Sequence, residues 1–203
     1  MKVEYLKPTA NTIISVKEDT QFVLDLEGST TPCLVQLDFD TPNVKADIIG
    51  LYVAGANDDI NLTTIANHKV VHTSCNTLVK GVLLDNSKST YIGKIVIQKS
   101  AQQTSSYLDD AVLVVGENVQ NKADPILEIE ADDVKASHGS TTGTVDAAQV
   151  FYLQSRGFSK EDAQKLVVQG FLSSALSAII DDEVRLTLES QLLRKLNFGT
   201  ESE

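Results

Sequence analysis

Between about residues 11 and 131 the apolar residues recur with period two in short runs, and at Asp146 the period changes to 3.6. That switch confines the chain to a β body followed by a helical tail. The runs include Thr12-Ile13-Ile14-Ser15-Val16, Gln21-Phe22-Val23-Leu24-Asp25-Leu26 and Leu34-Val35-Gln36-Leu37-Asp38-Phe39, with further runs at 48–53, 60–65 and 93–97. Each is rich in β-branched residues and bounded by Gly, Asn, Asp, Ser or Pro. No helix-period segment interrupts them, which argues against βαβ units. A sandwich, a barrel or a β-helix solenoid remains. Short strands at steady spacing suit a solenoid, where each rung buries its face by stacking on the next. No clean repeat is visible, so the residues alone leave sandwich and β-helix open.

Asp146 followed by Gln149 reads as an N-cap with its capping-box partner, and the helix over 147–156 stops at Gly157, which suits a left-handed C′ position. Ser159 and Asp162 open a second helix that can run to about Ile180. A third, over about 182–196, carries Val184, Leu188, Leu192 and Leu196 on one stripe. Residues 199–203 read as a frayed tail. The second helix is apolar on more than one face, through Leu166, Val167, Val168, Phe171, Leu172, Ala175, Leu176, Ile179 and Ile180. Such a helix needs two surfaces to pack against. One is the chain's own body; the other is its own helical stack or a partner's groove.

A net charge of −11 argues against nucleic acid or an anionic membrane as partner, because both call for positive potential. Two cysteines, Cys33 and Cys75, give no disulfide framework. The start MKVEYLKPTA lacks the apolar stretch of a signal peptide, and no segment is apolar enough to span a membrane. A cytoplasmic setting is therefore expected.

Catalysis by this chain alone is not expected. It has no G-x-x-x-x-G-K-[ST], G-x-S-x-G, H-E-x-x-H or C-x-x-C, and three histidines in all: His68, His72 and His138. The most informative segment is 124–143, where a strand alternating Leu127, Ile129 and Ala131 with Glu128 and Glu130 runs into a polar turn carrying His138. An imidazole there can ligate a borderline metal or simply hydrogen-bond its own loop. His72 and Cys75 form H-x-x-C, a weak metal signal; an inert buried cysteine is the competing reading. Asp132-Asp133 and Asp58-Asp59 look like carboxylate pairs, but neighbours in a strand point to opposite faces. Asp132 and Asp133 are expected to end the strand and hold the turn.

The pattern P-x-L-E-I-x-A-D-D-V-K-x-S-H-G-x-T-x-G, from Pro125 to Gly143, resembles the end of the core domain of the SufB/SufD family, scaffold subunits of iron–sulfur cluster assembly. Its K-x-S-H-G form looks like SufD. Phe151-Tyr152-Leu153-Gln154-Ser155-Arg156-Gly157 is similar to the family's F-Y-L-x-S-R-G, and the likeness holds from Pro125 to Leu172. Segments between His72 and Tyr107 fit the family's last rungs, and 1–67 is a compatible strand pattern. The resemblance implies a right-handed parallel β-helix over 1–144 and a three-helix module over 145–203, without the N-terminal helical region of longer members.

On this likeness His138 lies at the interface with SufB, as a candidate iron or cluster ligand. Thr73-Ser74-Cys75-Asn76-Thr77-Leu78 is similar to SufB's T-x-C-D-S-L, which makes Cys75 a second candidate. Where SufD-like chains carry a cysteine this one has Ala136, and where SufB-like chains carry a glutamate it has Gly139. Clusters are held mainly by thiolates, so the turn offers an imidazole and neither extra ligand. No cofactor is expected to be tightly bound; a transient cluster shared with a partner is. The last strands, with Leu127, Glu128, Ile129, Glu130, Asp132 and Asp133, would form a pairing edge with a SufB-like chain or a second copy. The helices, through Phe151, Arg156, Phe158, Val168, Phe171, Leu172 and Leu176, would dock a SufC-like ABC ATPase. The rival expectation is an acidic β-helix binding or structural protein whose helices only cap the solenoid.

Overall fold

The computed structural model describes residues 1–26 and 31–196; the expected frayed tail at 199–203 lies outside the described residues. Among the described residues eleven strands fall into two sheets. One holds β1 (Lys2–Leu6), β3 (Thr20–Asp25), β5 (Lys45–Ala54), β7 (Ser74–Leu83), β9 (Thr104–Val114) and β11 (Val134–Thr144), neighbours in that order. The other runs β10 (Gln120–Ile129), β8 (Lys88–Ile97), β6 (Asp59–His68), β4 (Cys33–Phe39) and β2 (Thr12–Ser15). Every pairing is parallel, and consecutive strands lie in opposite sheets. The chain therefore winds as a β-helix solenoid, which settles the choice against a sandwich.

Its repeat lies in backbone corners rather than residue identity. Asn57, Asn86 and Asn118 recur at intervals of 29 and 32 residues, and Asn43, His72 and Gln103 at 29 and 31, all with positive φ of 56° to 67°. Asparagine tolerates this left-handed region because its short side chain bonds locally. The corners stack through main-chain bonds: Asn57 N–H donates to Asn86 O at 3.3 Å, and His72 N–H to Gln102 O at 3.1 Å. His72 is thus an exposed corner residue.

Alternate residues of both sheets point inward and build columns along the axis. Phe22, Ile48, Thr77 and Leu108 form one, and Ala46, Cys75 and Ser106 another, all buried. His68 is wholly buried between them: Nδ1 bonds Thr73 Oγ1 at 2.8 Å, Nε2 bonds Ser106 Oγ at 3.1 Å, and the ring stacks on Phe39 at 4.3 Å. Burial pushes its pKa down to about 4.

The outer face of the first sheet is apolar too, which explains why β5 reads as an unbroken hydrophobic run. Val23, Ile49, Leu51, Val53, Val82 and Leu84 are covered by α2 (Lys160–Leu176) and α3 (Asp182–Lys195), through Val168, Leu172, Leu176, Leu188 and Leu192. Each such side chain stabilises the assembly by about 1.5–3 kcal/mol. Gln21 clamps the α2–α3 connection, donating to Ala178 O at 2.9 Å and accepting from Ile180 N–H at 3.0 Å. That clamp holds 178–180 out of helical form, so α2 ends at Leu176 rather than near Ile180. Tyr5 bridges Asp25 and Gln191, and Lys195 pairs with Asp58 at 2.7 Å, tying α3 to the solenoid. The first helix, α1 (Ala147–Ser155), is capped by Asp146, which accepts from Ala148 N–H, and closes at Gly157 with φ +98°.

Gly81 is required by packing: a Cβ there would lie 2.1 Å from Cζ of the Tyr52 ring. Gly81→Ala should destabilise the chain by about 1–3 kcal/mol in urea denaturation, as expected of overpacking; an unchanged midpoint would show that Tyr52 moves freely.

Candidate functional site at the open end of the solenoid

Each interior rung has a neighbour on both sides; β10 and β11 have one on one side only. Their free edges present unpaired main-chain groups at the same end of the molecule. The polar segment expected to be a turn is instead the strand β11, and His138 lies in its middle, opposite Leu108. Parallel pairing to β9 satisfies its backbone on one side. Val134 and Ala136 at its start pack against the core, but from Ser137 onward the strand is exposed and small polar residues suffice, so no apolar alternation runs along it. His138 is the last member of the column that runs through Phe22, Ile48, Thr77 and Leu108; those four are buried and His138 is exposed.

The register also places the two departures. Ala136 shares the inner face with His138 and ends the column of Ala46, Cys75 and Ser106. Gly139 points the other way, and a Cβ there would meet Asp109 Oδ1 at 3.2 Å. On β10, Leu127 packs against the core, Ile129 is 41% exposed, and Glu128 pairs outward with Lys94 at 2.7 Å. Asp132 and Asp133 sit exposed in the bend between β10 and β11, where Asp133 O accepts from Gln103 N–H.

Cys75 lies wholly within the core, and desolvation pushes its thiol up to about 12. Ser106 of β9 stands between it and the last rung. As built, Cys75 is not brought to His138, and His72 with Cys75 is not a site, since one faces solvent and the other the interior. Among the described residues no group of three or more His, Cys, Asp or Glu could hold a metal ion. Sequence reasoning missed Asp110, an inward-facing carboxylate 1% exposed, opposite Ser140 of β11. Its pairing with outward Asp109 in a period-two strand is the signal that could have found it.

A second surface lies on the helices. Ala148, Gln149, Tyr152, Leu153, Leu166 and Val167 line an apolar groove of about 580 Å³ between α1 and α2. Phe151, Arg156 and Phe158 of the expected docking set are exposed, and Phe171 is half-buried beneath Lys80, whose Nζ lies 4.6 Å from the ring centroid. Val168, Leu172 and Leu176 must be removed from that set as direct contacts. They are buried against the chain's own sheet, because that face of α2 covers the apolar outer wall.

Two outcomes follow from these burials. Cys75 should resist alkylation at pH 8 in the folded chain and react on unfolding in urea; labelling without unfolding would place it outside the core. Because the pKa of His68 is depressed on folding, it is protonated in the unfolded chain first. Stability present above pH 6.5 should fall by about 2–3 kcal/mol as pH drops to about 4.5. His68→Asn should lack that part of the acid loss in paired urea titrations.

The family model described as "SUF system FeS cluster assembly, SufBD core domain" matches residues 11–171, reaching across nearly the whole solenoid, α1 and most of α2. The chain is 31% identical over 185 residues to an iron–sulfur cluster assembly SufBD family protein of Mycobacterium leprae, covering 87% of this chain and 47% of that protein. It is 36% identical over 119 residues to the iron–sulfur cluster assembly protein SufD of Bacillus subtilis, covering 59% of this chain and 27% of that protein. SufD of Escherichia coli is 32% identical over 127 residues, 62% of this chain and 30% of that protein. The chain thus spans less than half the length of these relatives. With the family model lying over both the parallel solenoid and the strand that carries His138, the chain belongs to the SufBD core family.

Proposed function

We propose that this chain is a non-enzymatic scaffold subunit of iron–sulfur cluster assembly. The observation that carries the reading is the uncovered last rung, which holds His138 on an inner face beside two free strand edges. A SufB-like chain, or a second copy, adds its own strands to β10 and β11 and so satisfies their open main-chain groups. Leu127, Ile129 and the residues of the bend lie along that joint. His138 then stands inside it, offering an imidazole to iron or to a nascent cluster held as cargo. Both cysteines are buried, so cluster thiolates come from the partner.

The groove between α1 and α2 is the docking surface for a SufC-like ATPase. Its apolar lining includes exposed Tyr152, and with the exposed Phe151 and Phe158 on the same helical segment it has the character of an interface centre rather than of ordinary surface. The inward face of α2 fixes the groove to the solenoid, so the helix serves both surfaces it was expected to need.

A pull-down with the SufC-like ATPase of the same organism tests the reading, with Phe151→Asp/Tyr152→Asp as the control. Both side chains are exposed, so this variant should stay folded while binding falls by 100-fold or more, as for paired interface anchors. No binding by folded wild-type chain would leave the shared fold without the shared role. His138→Ala should lower cluster yield in the reconstituted complex without changing thermal stability; equal yield would remove its ligand role.

A further inference from the structure

Among the described residues Asp110 is a carboxylate turned into the last turn of the solenoid with little to hold its charge. Oδ2 accepts from Ser140 Oγ on β11 at 3.2 Å, and Oδ1 is buried without a hydrogen-bond partner. Around it stand Val79 on β7 and Gly50 and Tyr52 on β5, with Tyr91 of β8 across the interior. Tyr52 Oη is also buried without a partner. Asp109 lies on the opposite face of β9, and its charge opposes ionisation of Asp110. His138 precedes Ser140 by two residues on the same inner face. No cation is recorded against the carboxylate among the described ion pairs. Nearby, Ser89 donates to Asn121 Oδ1 at 2.6 Å and Asn121 donates to Thr142 Oγ1 at 2.7 Å, so beyond the apolar contacts of Val134 and Ala136 β11 is seated on the interior by polar bonds.

We propose that Asp110 is a proton-dependent latch on β11: protonated, it lets the terminal strand seat on the solenoid, and ionised, it loosens it. A neutral carboxyl still accepts from Ser140 and gains a donor of its own at Oδ1, whereas a carboxylate there keeps one side-chain hydrogen bond and a buried, unpartnered Oδ1. Desolvation raises its pKa to about 6, so the proton is held in a range where an unfolded aspartate has lost it. The sign is opposite to that of His68. The seating is firmest near and below pH 4 and weakens as pH rises through about 6. The device needs no partner chain, and it acts on the strand that carries His138.

Hydrogen exchange of the full chain, read by mass spectrometry over 134–144 and corrected for intrinsic rates, tests the latch at pH 5 and 7.5. Protection of β11 in the wild type should fall by on the order of 10-fold between them, while β5 changes little. Asp110→Asn, which keeps the shape and His138, should remove the fall. Ser140→Ala should keep it and move its midpoint to higher pH, since the hydroxyl donor favours the charged form. A wild-type strand indifferent to pH, or the same fall in Asp110→Asn, would overturn the proposal.

Discussion

Parallel stacking of one rung on the next governs this molecule. A rung buries its inner face only against a neighbour, and its main-chain groups pair only with a neighbour. The interior columns through β5, β7 and β9 are therefore mostly apolar, with Tyr52 Oη and Asp110 Oδ1 buried without a partner, and the last rung must end differently. At the opposite end Lys2 pairs with Glu4 at 2.8 Å and Lys2 also reaches Glu18, charges of the kind that blunt an edge strand. The strand β11 carries small polar residues and a histidine instead. The end strands of the first sheet are therefore unlike, and in the proposed complex the end that carries His138 is the one that pairs.

The alternation of Leu127, Glu128 and Ile129 and the caps at Asp146, Gly157 and Ser159 were legible in the chain because each rests on local backbone physics. Periodicity alone left the β-helix open against a sandwich and only the family resemblance decided for it, because its regularity resides in stacked left-handed corners filled variously by Asn, His and Gln. Asn57, Asn86 and Asn118 would have supplied the period had they been read as corner residues rather than as generic turn punctuation. His138 was legible as a residue but misplaced in a turn: a strand with solvent on its inner face has no hydrophobic period to betray it. Cys75 shows the reverse limit. Its surrounding motif suggested exposure to chemistry, while its place in the column of Ala46 and Ser106 makes it a small core residue. Burial of Val168, Leu172 and Leu176 depended on the outer wall of the first sheet being apolar, which only the tertiary arrangement discloses.

Interior polarity is distributed unevenly along the axis. His68 is satisfied at both nitrogens and held neutral, and so serves the core much as a fitted aromatic would. Asp110, on the same strand β9 as Ser106 but facing β11 through Ser140, is half satisfied. A half-satisfied buried group raises the energy of the native arrangement locally, which is tolerable near an edge where opening is already inexpensive. The same group deep in the stack would cost the whole fold.

The two proposed surfaces are mechanically close. Thr144 ends β11 and Ala147 begins α1, so only Val145 and Asp146 separate the edge strand from the helix that lines the docking groove. By contrast α3 is tied back to the first rungs through Tyr5, Asp25 and Gln191. A partner pulling on the groove would meet a module anchored at the far end by α3 and joined to β11 by a two-residue link. Because the other wall of the groove, α2, is itself packed on the first sheet through Val168 and Leu172 and bonded to Lys80, a load on the groove divides between that sheet and the two-residue link to β11.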